Sequence, residues 1–433
     1  MRALKKRFYS IVFVGSCQSS DVQTQTEILE KREEYRSMNE RDPIIVSAVR
    51  TPIGVFGGSL RDVSHTQLAA LVMDEVCRRV NFSKEDLDDV YWGVVMLRSD
   101  ENGLARSAVL EAGIPDHVSA VHVNRACCSS MEAIRIASMA ICLGEADAII
   151  AGGGESMSNV PYSIKNARWG LRLRHQELTD GVWDGLTDHH TGLIMGMTAE
   201  NVAEKYHISR EDQDELALAS QMRAKKALEQ GRFKDEIVPV VIPGRRGKPN
   251  TIVDTDEHPR PATTLEELRK LPPTFKENGT VTAGNSSGIN DGASAVLVMS
   301  RELAGRLGMK RKWKVVGSAA VGVDPRMMGI GPIPAVKKLF KQTGYQLEDI
   351  ELIEINEAFA AAYLAVEREL GLNREIVNVN GSGIALGHPI GNTGCRIVVS
   401  LIHEMEKRGL KRGLASLCGG SGHGQAMIIE KVA

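Results

Sequence analysis

The sequence predicts an α/β protein made of two duplicated halves, with a region of different character inserted between them. Three observations carry this. Strand-like and helix-like patterns alternate through both halves, as expected for sheets covered by helices. Three segments recur in the same order at a nearly constant interval, the trace an internal duplication leaves. Residues 157–289 break the pattern with clusters of Pro, Gly and Arg, such as Pro243-Gly-Arg-Arg-Gly-Lys-Pro249.

In chain order, the first strand is expected at Pro43-Ile-Ile-Val-Ser-Ala-Val-Arg50. Residues 1–41 ahead of it read as an extension, disordered or removed in processing. The alternatives are a weak targeting segment (Arg2, Lys5, Lys6 and Arg7 before apolar Tyr9 to Val14) or sequence upstream of a start at Met38. Glu85-Asp86-Leu87-Asp88-Asp89-Val90 leads into a strand and recurs as Glu348-Asp349-Ile350-Glu351-Leu352-Ile353. Val121-His-Val-Asn124 recurs as Val377-Asn-Val-Asn380, and Ala148 to Gly153 recurs as Leu414 to Gly420. Residues 126–143 are apolar on nearly all sides, which predicts a buried helix. Its counterpart runs from about Thr393 to Lys407, closed by Gly409. Ser209 with Asp212 three residues on marks the start of a helix over 209–230. The expected domains are 42–156 with 290–311, an inserted loop domain at 157–289, and 312–433.

Composition narrows the function. Apolar residues at 42% and charged residues at 25% suit a soluble enzyme. A net charge of −2 provides no electrostatic draw towards nucleic acid or an acidic membrane, and no apolar run is read as a membrane span. Neither partner is expected. The seven cysteines are odd in number and lack CxxC pairs, which argues against a disulfide framework or structural zinc. A reducing compartment follows: the cytoplasm, or the mitochondrion in a eukaryote.

Four positions suggest chemistry. Cys127 stands at the expected start of the buried helix, where N–H groups and dipole favour a thiolate. Cys128 is an equal rival, and a buried structural cysteine is the commoner fate of a free thiol. His388, in Gly387-His-Pro-Ile-Gly391, is kept out of helical geometry by the following proline and suits a general base, or a turn without a role. Cys418 ends a strand and enters Gly419-Gly420-Ser421-Gly422, whose N–H groups suit an oxyanion or a simple hairpin. Asn356 follows the strand over 350–355 and reads as an N-cap or as an anchor for a catalytic water.

Six motifs in order resemble the thiolase family, along nearly all of residues 43–431. They are Asn124-Arg-Ala-Cys127-Cys-Ser-Ser, Gly154-Glu-Ser-Met-Ser-Asn159, Thr282-Ala-Gly-Asn-Ser-Ser-Gly-Ile-Asn-Asp-Gly292, Asn356-Glu-Ala-Phe359, Gly387-His-Pro-Ile-Gly391 and Leu417-Cys-Gly-Gly420. The resemblance implies a five-layer αβαβα arrangement. It implies that Cys127 is the acylated nucleophile, His388 its base and Cys418 the group that moves the α-proton. One oxyanion hole would be His388 with a water on Asn356; the other would be the N–H groups of Cys127 and Gly420. Arg260, Phe275, Ala283 and Ser287 fall at positions of the family's coenzyme A contacts. Met195, Ala358 and Phe359 fall along its substrate channel. No metal or redox cofactor is implied, since coenzyme A and acyl-CoA are substrates. A homo-oligomer is implied, a dimer or a tetramer joined through the inserted region.

The implied activity is reversible condensation of two acetyl-CoA to acetoacetyl-CoA. The alternatives are a 3-ketoacyl-CoA thiolase of medium or long chain range, and a non-catalytic acyl-CoA or lipid binder. Three departures stand out. Ser130 replaces a common glycine and, with Met131, is expected to set the pocket floor. Ile194 stands where short-chain biosynthetic members carry His. His423 replaces a usual Met or Gln.

Overall fold

The computed structural model describes residues 40–173, 175–244, 249–310 and 313–432. Expectations placed on residues 1–39 lie outside these. Arg41 already belongs to the fold, donating its Nε–H to Ile141 O at 2.9 Å.

Nine strands carry the main sheet: β1 (Pro43–Arg50), β2 (Asp89–Gly93), β3 (Ser119–Val123), β4 (Ala148–Ser156), β5 (Asn290–Ser300), β6 (Trp313–Gly322), β7 (Leu352–Ile355), β8 (Arg412–Gly419) and β9 (His423–Lys431). Gly54–Val55 adds a short tenth beside β5. The order is β7-β8-β9-β6-β1-β5-β4-β2-β3. Among the described residues, β1 and β6 meet through Ile44 with Lys314 and Ile45 with Trp313, the seam at which two half-sheets join. Outward from the seam the halves repeat. The first runs β1, β5, β4, β2, β3. The second runs β6, β9, β8, β7, and then Val377, which bridges Ile353 in parallel. Each recurring sequence segment occupies the same place in its half. β1, β4 and β5 are buried along their whole length, as expected of strands covered on both faces.

The main helices are α1 (His65–Arg78), α2 (Leu104–Glu111), α3 (Ser129–Leu143), α4 (Met195–Lys205), α5 (Arg210–Glu229), α6 (Pro332–Thr343), α7 (Ala360–Leu370) and α8 (Thr393–Arg408). Successive side chains of a strand face opposite sides, and this sorts the core. Leu297 and Met299 of β5 pack with Leu68 and Met73 of α1. Val296 and Val298 pack with Met131 and Ile134 of α3 and Ile397 of α8, and so do Met427 and Ile429 of β9. Ile428 faces the other way, onto Leu339 of α6 and Tyr363 of α7. The layers are therefore α1 with α2, half-sheet, α3 with α8, half-sheet, α6 with α7. This is the five-layer order that the resemblance implies.

The capping box at Ser209 and Asp212 starts α5, and Gly409, at φ +69, ends α8. Residues 126–143 differ from expectation in two ways. Over 18 residues they reach the length and mean hydropathy (1.4) of a membrane span, which the sequence expectation does not include. They form a core helix, exposed at Met139, Cys142 and Leu143. The helix also starts later, at Ser129. Ala126 takes φ +47, Asn124 Oδ1 accepts its N–H at 3.0 Å, and Ser129 Oγ accepts the Arg125 N–H at 2.9 Å, so a turn precedes the helix.

Two glycines let α3 sit close to its neighbours, Gly93 of β2 and Gly394 of α8. A Cβ on Gly93 would lie 2.4 Å from Ser130 N, and one on Gly394 would lie 2.6 Å from Met131 N. Ser130 Oγ donates to Asn392 O at 2.9 Å and accepts the Cys395 N–H at 2.8 Å. Gly394→Ala should force α3 and α8 apart and destabilise the protein by about 1–3 kcal/mol, as overpacking does. Urea unfolding checks this; an unchanged midpoint would contradict the close-approach argument.

Candidate active site

Cys127 lies on the turn before α3, with Cys128 at the N-cap. Its sulfur faces the N–H groups of Gly420 and of Cys127 itself. Burial pushes the thiol up to about 11 against those two donors. The helix dipole was expected to favour a thiolate, but the helix starts two residues later and burial outweighs it. Cys128 points the opposite way. It is fully buried in the core between the half-sheets, its S–H 3.8 Å from Leu417 O. Adjacent side chains thus go to different destinations, and only Cys127 reaches the cavity described below.

His388 sits on the loop entering α8. Burial pushes its imidazole down to about 3, and the Arg396 guanidinium adds to this. The Thr393 hydroxyl donates to Pro389 O at 2.9 Å, so it accepts from His388 Nδ1–H at 2.6 Å. Nε2 keeps its lone pair, the arrangement a general base needs. Asn290 Oδ1 accepts the His388 backbone N–H at 2.9 Å, while its amide donates to Gly54 O at 2.9 Å. Glu155 accepts three backbone N–H groups, from Val95 and Met96 at 3.1 Å and from Gly391 at 3.0 Å. It ties the residues after β2 to the His388 loop. Burial outweighs these donors and raises its carboxyl to about 7.

Cys418 ends β8 with 3% of its surface exposed, and burial raises its thiol to about 12, with Cys127 contributing. Asn356, three residues before the N-cap of α7, brings Nδ2 to 3.4 and 3.5 Å from the two ring nitrogens of His388. Its Oδ1 is buried and has no protein partner.

Cys127, His388 and Cys418 open into one cavity of about 820 Å³. Near Cys127 its wall is apolar: Met157, Val182, Leu186 and Ile390. Ile194 lines the same cavity. Past Cys418 come Met195, Phe275, Ala358 and Phe359, the two phenyl rings edge to face at 6.3 Å. The mouth is polar, with Gln221, His258, Arg260, Thr263 and Ser287, and Ala283 lies beside it. Among the described residues, no three His, Cys, Asp or Glu side chains converge to hold a metal ion.

Residues 43–302 match the family model for the N-terminal domain of thiolases, and residues 309–431 match the model for the C-terminal domain. The chain belongs to the thiolase family. Acetyl-CoA acetyltransferase of Syntrophomonas wolfei is 50% identical over 395 residues, covering 90% of this chain and 99% of its own. That of Pseudomonas aeruginosa is 46% identical over 396 residues, covering 90% and 100%. The crystal structure of Bacillus anthracis acetyl-CoA acetyltransferase superposes with a TM-score of 0.89 at 50% identity, covering 90% of this chain and 99% of that one. Human mitochondrial 3-ketoacyl-CoA thiolase in complex with CoA gives 0.86 at 43% identity, covering 91% and 99%. The fold of this thiolase is thus the α/β thiolase fold.

Of the residues singled out in the sequence, eleven line the cavity: Cys127, His388, Cys418, Arg260, Phe275, Ala283, Ser287, Ile194, Met195, Ala358 and Phe359. Asn356 and Gly420 stand behind the wall, one touching His388 and the other Cys127. Ser130 and Met131 do not form a pocket floor. Both are fully buried between α3 and α8, where the Ser130 hydroxyl is used up on α8. Ile194 does reach the wall. Thr393, Glu155 and Asn290 were missed. All three lie in or beside quoted motifs, but nothing in their spacing shows what they hold.

With both groups neutral, this thiolase should not behave as a thiolate–imidazolium pair. Iodoacetamide labelling of Cys127 in the ligand-free protein should keep rising with pH through 8 and 9, towards a thiol near 11. A plateau between pH 5 and 8 would show a preformed ion pair and contradict the burial argument.

Proposed function

We propose that the protein is an acetyl-CoA C-acetyltransferase, an acyltransferase that joins two acetyl-CoA into acetoacetyl-CoA and CoA and runs the reverse thiolysis. The observation that carries this is the meeting of Cys127, His388 and Cys418 in one cavity. Relatives 44–50% identical over most of the chain, named acetyl-CoA acetyltransferases, support it.

The steps are those the family resemblance implies, and the shared cavity supports them. Nε2 of His388 takes the Cys127 proton, and the thiolate attacks the thioester carbonyl. The oxyanion lies against the N–H groups of Cys127 and Gly420. The carbonyl re-forms, CoA leaves as its thiolate and takes the proton from His388, and acetyl-Cys127 remains. Cys418, deprotonated for this step against the pull of its burial, then removes an α-proton from a second acetyl-CoA. The enolate, held by His388 and a water on Asn356, attacks acetyl-Cys127, and the released Cys127 sulfur takes the proton from Cys418, which restores both groups for the next cycle. In thiolysis the Cys418 thiol returns the proton, and burial keeps it in that protonated form. The nucleotide end of CoA lies at Arg260, where a guanidinium suits phosphate. The inserted region 157–289 supplies that wall. The protein works in the cytoplasm as a closed homo-oligomer, the default for such enzymes.

One feature favours a wider range, as in a 3-ketoacyl-CoA thiolase. The apolar side chains lining the cavity, Ile194 among them, can take further methylenes, each worth roughly 0.8 kcal/mol if buried. A non-catalytic binder would not need nucleophile, base and second thiol together.

Two experiments test this. Acetyl-CoA should add one acetyl group to the Cys127 peptide, and Cys418→Ala should still be acetylated while failing at condensation and thiolysis. Acetyl on Cys128, or near-normal turnover in Cys418→Ala, would remove the assigned roles. For chain length, kcat/KM is measured for acetoacetyl-CoA and 3-ketooctanoyl-CoA. Ile194→His should shift the ratio towards acetoacetyl-CoA by about 10-fold. An unchanged ratio would show that Ile194 does not set chain length.

A further inference from the structure

The turn between β8 and β9 contains a residue in an unusual conformation. Ser421 sits at φ +59 and ψ +21, the left-handed region that side chains with a Cβ avoid. Such a conformation persists only where the surroundings enforce it. The Ser421 hydroxyl donates to Asp188 Oδ2 at 2.8 Å. Asp188 comes from the inserted region and is 4% exposed. Its Oδ1 accepts both the N–H and the hydroxyl of Thr191, each at 2.8 Å. Burial opposes ionisation of Asp188, but the bonds from Thr191 and Ser421, with His190 adding, hold it below the usual carboxylate range. It is thus a charged, strong acceptor at neutral pH.

Both ends of this contact lead to the site. The residue before Ser421 is Gly420, whose N–H faces the Cys127 sulfur. On the other side, Asp188 closes a tight turn. Its N–H donates to Leu193 O at 2.8 Å, Thr187 bridges Ile194, and the Met195 N–H donates to Leu186 O at 2.9 Å. That turn delivers Ile194 and Met195 to the cavity wall, and a Cβ on Gly420 would lie 3.5 Å from Met195 Sδ.

We propose that the Ser421–Asp188 hydrogen bond is a latch that positions the Gly420 N–H against the acyl group on Cys127. Ser421 and Asp188 are positioning residues, since neither touches substrate. The latch also joins the oxyanion turn to the loop that shapes the acyl wall. A backbone donor works only within a few tenths of an ångström of the developing oxyanion, and a small displacement lowers turnover without weakening CoA binding. The inference rests on the reading of Cys127 as the acylated nucleophile.

The test compares Ser421→Gly, Asp188→Ala and Asp188→Asn in acetoacetyl-CoA thiolysis. Glycine accepts the left-handed conformation freely, so Ser421→Gly keeps the turn and removes only the latch. Ser421→Gly and Asp188→Ala should each lower kcat about 10-fold, less than the 10²–10³ of losing an oxyanion donor outright. KM for CoA should stay within about twofold. Asp188→Asn should recover most of the rate, because its amide can donate to Ser421 Oγ while Oδ1 still serves Thr191. The double variant S421G/D188A should be no slower than D188A, as expected for two ends of one contact. Wild-type kcat in Ser421→Gly, a loss carried by KM alone, or multiplied losses in the double variant would each overturn the latch. If Asp188→Ala does not fold, the Ser421→Gly arm decides. Mass spectrometry of wild type with acetyl-CoA runs alongside: no acetyl on Cys127 would sink the parent reading, whereas acetylated wild type with a fully active Ser421→Gly sinks only the latch.

Discussion

The Ser130 hydroxyl, caught between Asn392 O and the Cys395 N–H, joins the first turns of the two central helices, and the site depends on that junction. Ser294 of β5 adds a third member, since its hydroxyl reaches the Asn392 side chain. The turn carrying Cys127 enters one of these helices, and the loop carrying His388 enters the other. Fixing the two helix starts fixes where both loops point. Gly93 and Gly394 are required for the same reason: any side chain there would enter the backbone that has to come close. A hydroxyl at Ser130 makes two bonds in a space that admits little else. Its value lies in the junction and not in the shape of a substrate pocket.

Around this junction the protein keeps its reactive groups uncharged. Burial raises the Cys127 and Cys418 thiols and lowers the His388 imidazole. The same low-dielectric surroundings make every hydrogen bond in them more consequential. Thr393 decides which ring nitrogen of His388 holds the proton. Glu155 holds both walls of the nucleophile region through three N–H groups. In the proposed acyl transfer, charge would form next to donors already in place.

Much of the fold was legible in the sequence because duplication and patterning are local signals. The three recurring segments fell at matching places in the half-sheets, and the Ser209 capping box and Gly409 marked their helix ends correctly. The start of α3 was misplaced, because the apolar pattern continues through a turn set by Asn124 and Ala126, and composition does not show a positive φ. Cys127, His388, Cys418, Ala283, Ser287, Ala358 and Phe359 were legible through motifs, whereas Trp183, Gln221 and His258 of the cavity wall carried no sequence signal. The Asp188 to Ser421 contact was not, because 233 positions separate the partners and only the folded chain brings them together. The choice between Cys127 and Cys128 needed the motif or the structure. Adjacent residues share every local signal, and only the packing against Leu417 separates them.

The division of the site between the halves has an evolutionary consequence. Cys127 belongs to the first half; His388, Asn356 and Cys418 belong to the second. Under the proposed roles, one half holds the nucleophile and the other the proton-handling groups. Gene fission in the segment between residues 302 and 309 would then yield one product without the proposed base and another without the proposed nucleophile. The two products would have to find each other through the buried junction of α3 with α8, which a single chain holds at a one-to-one ratio.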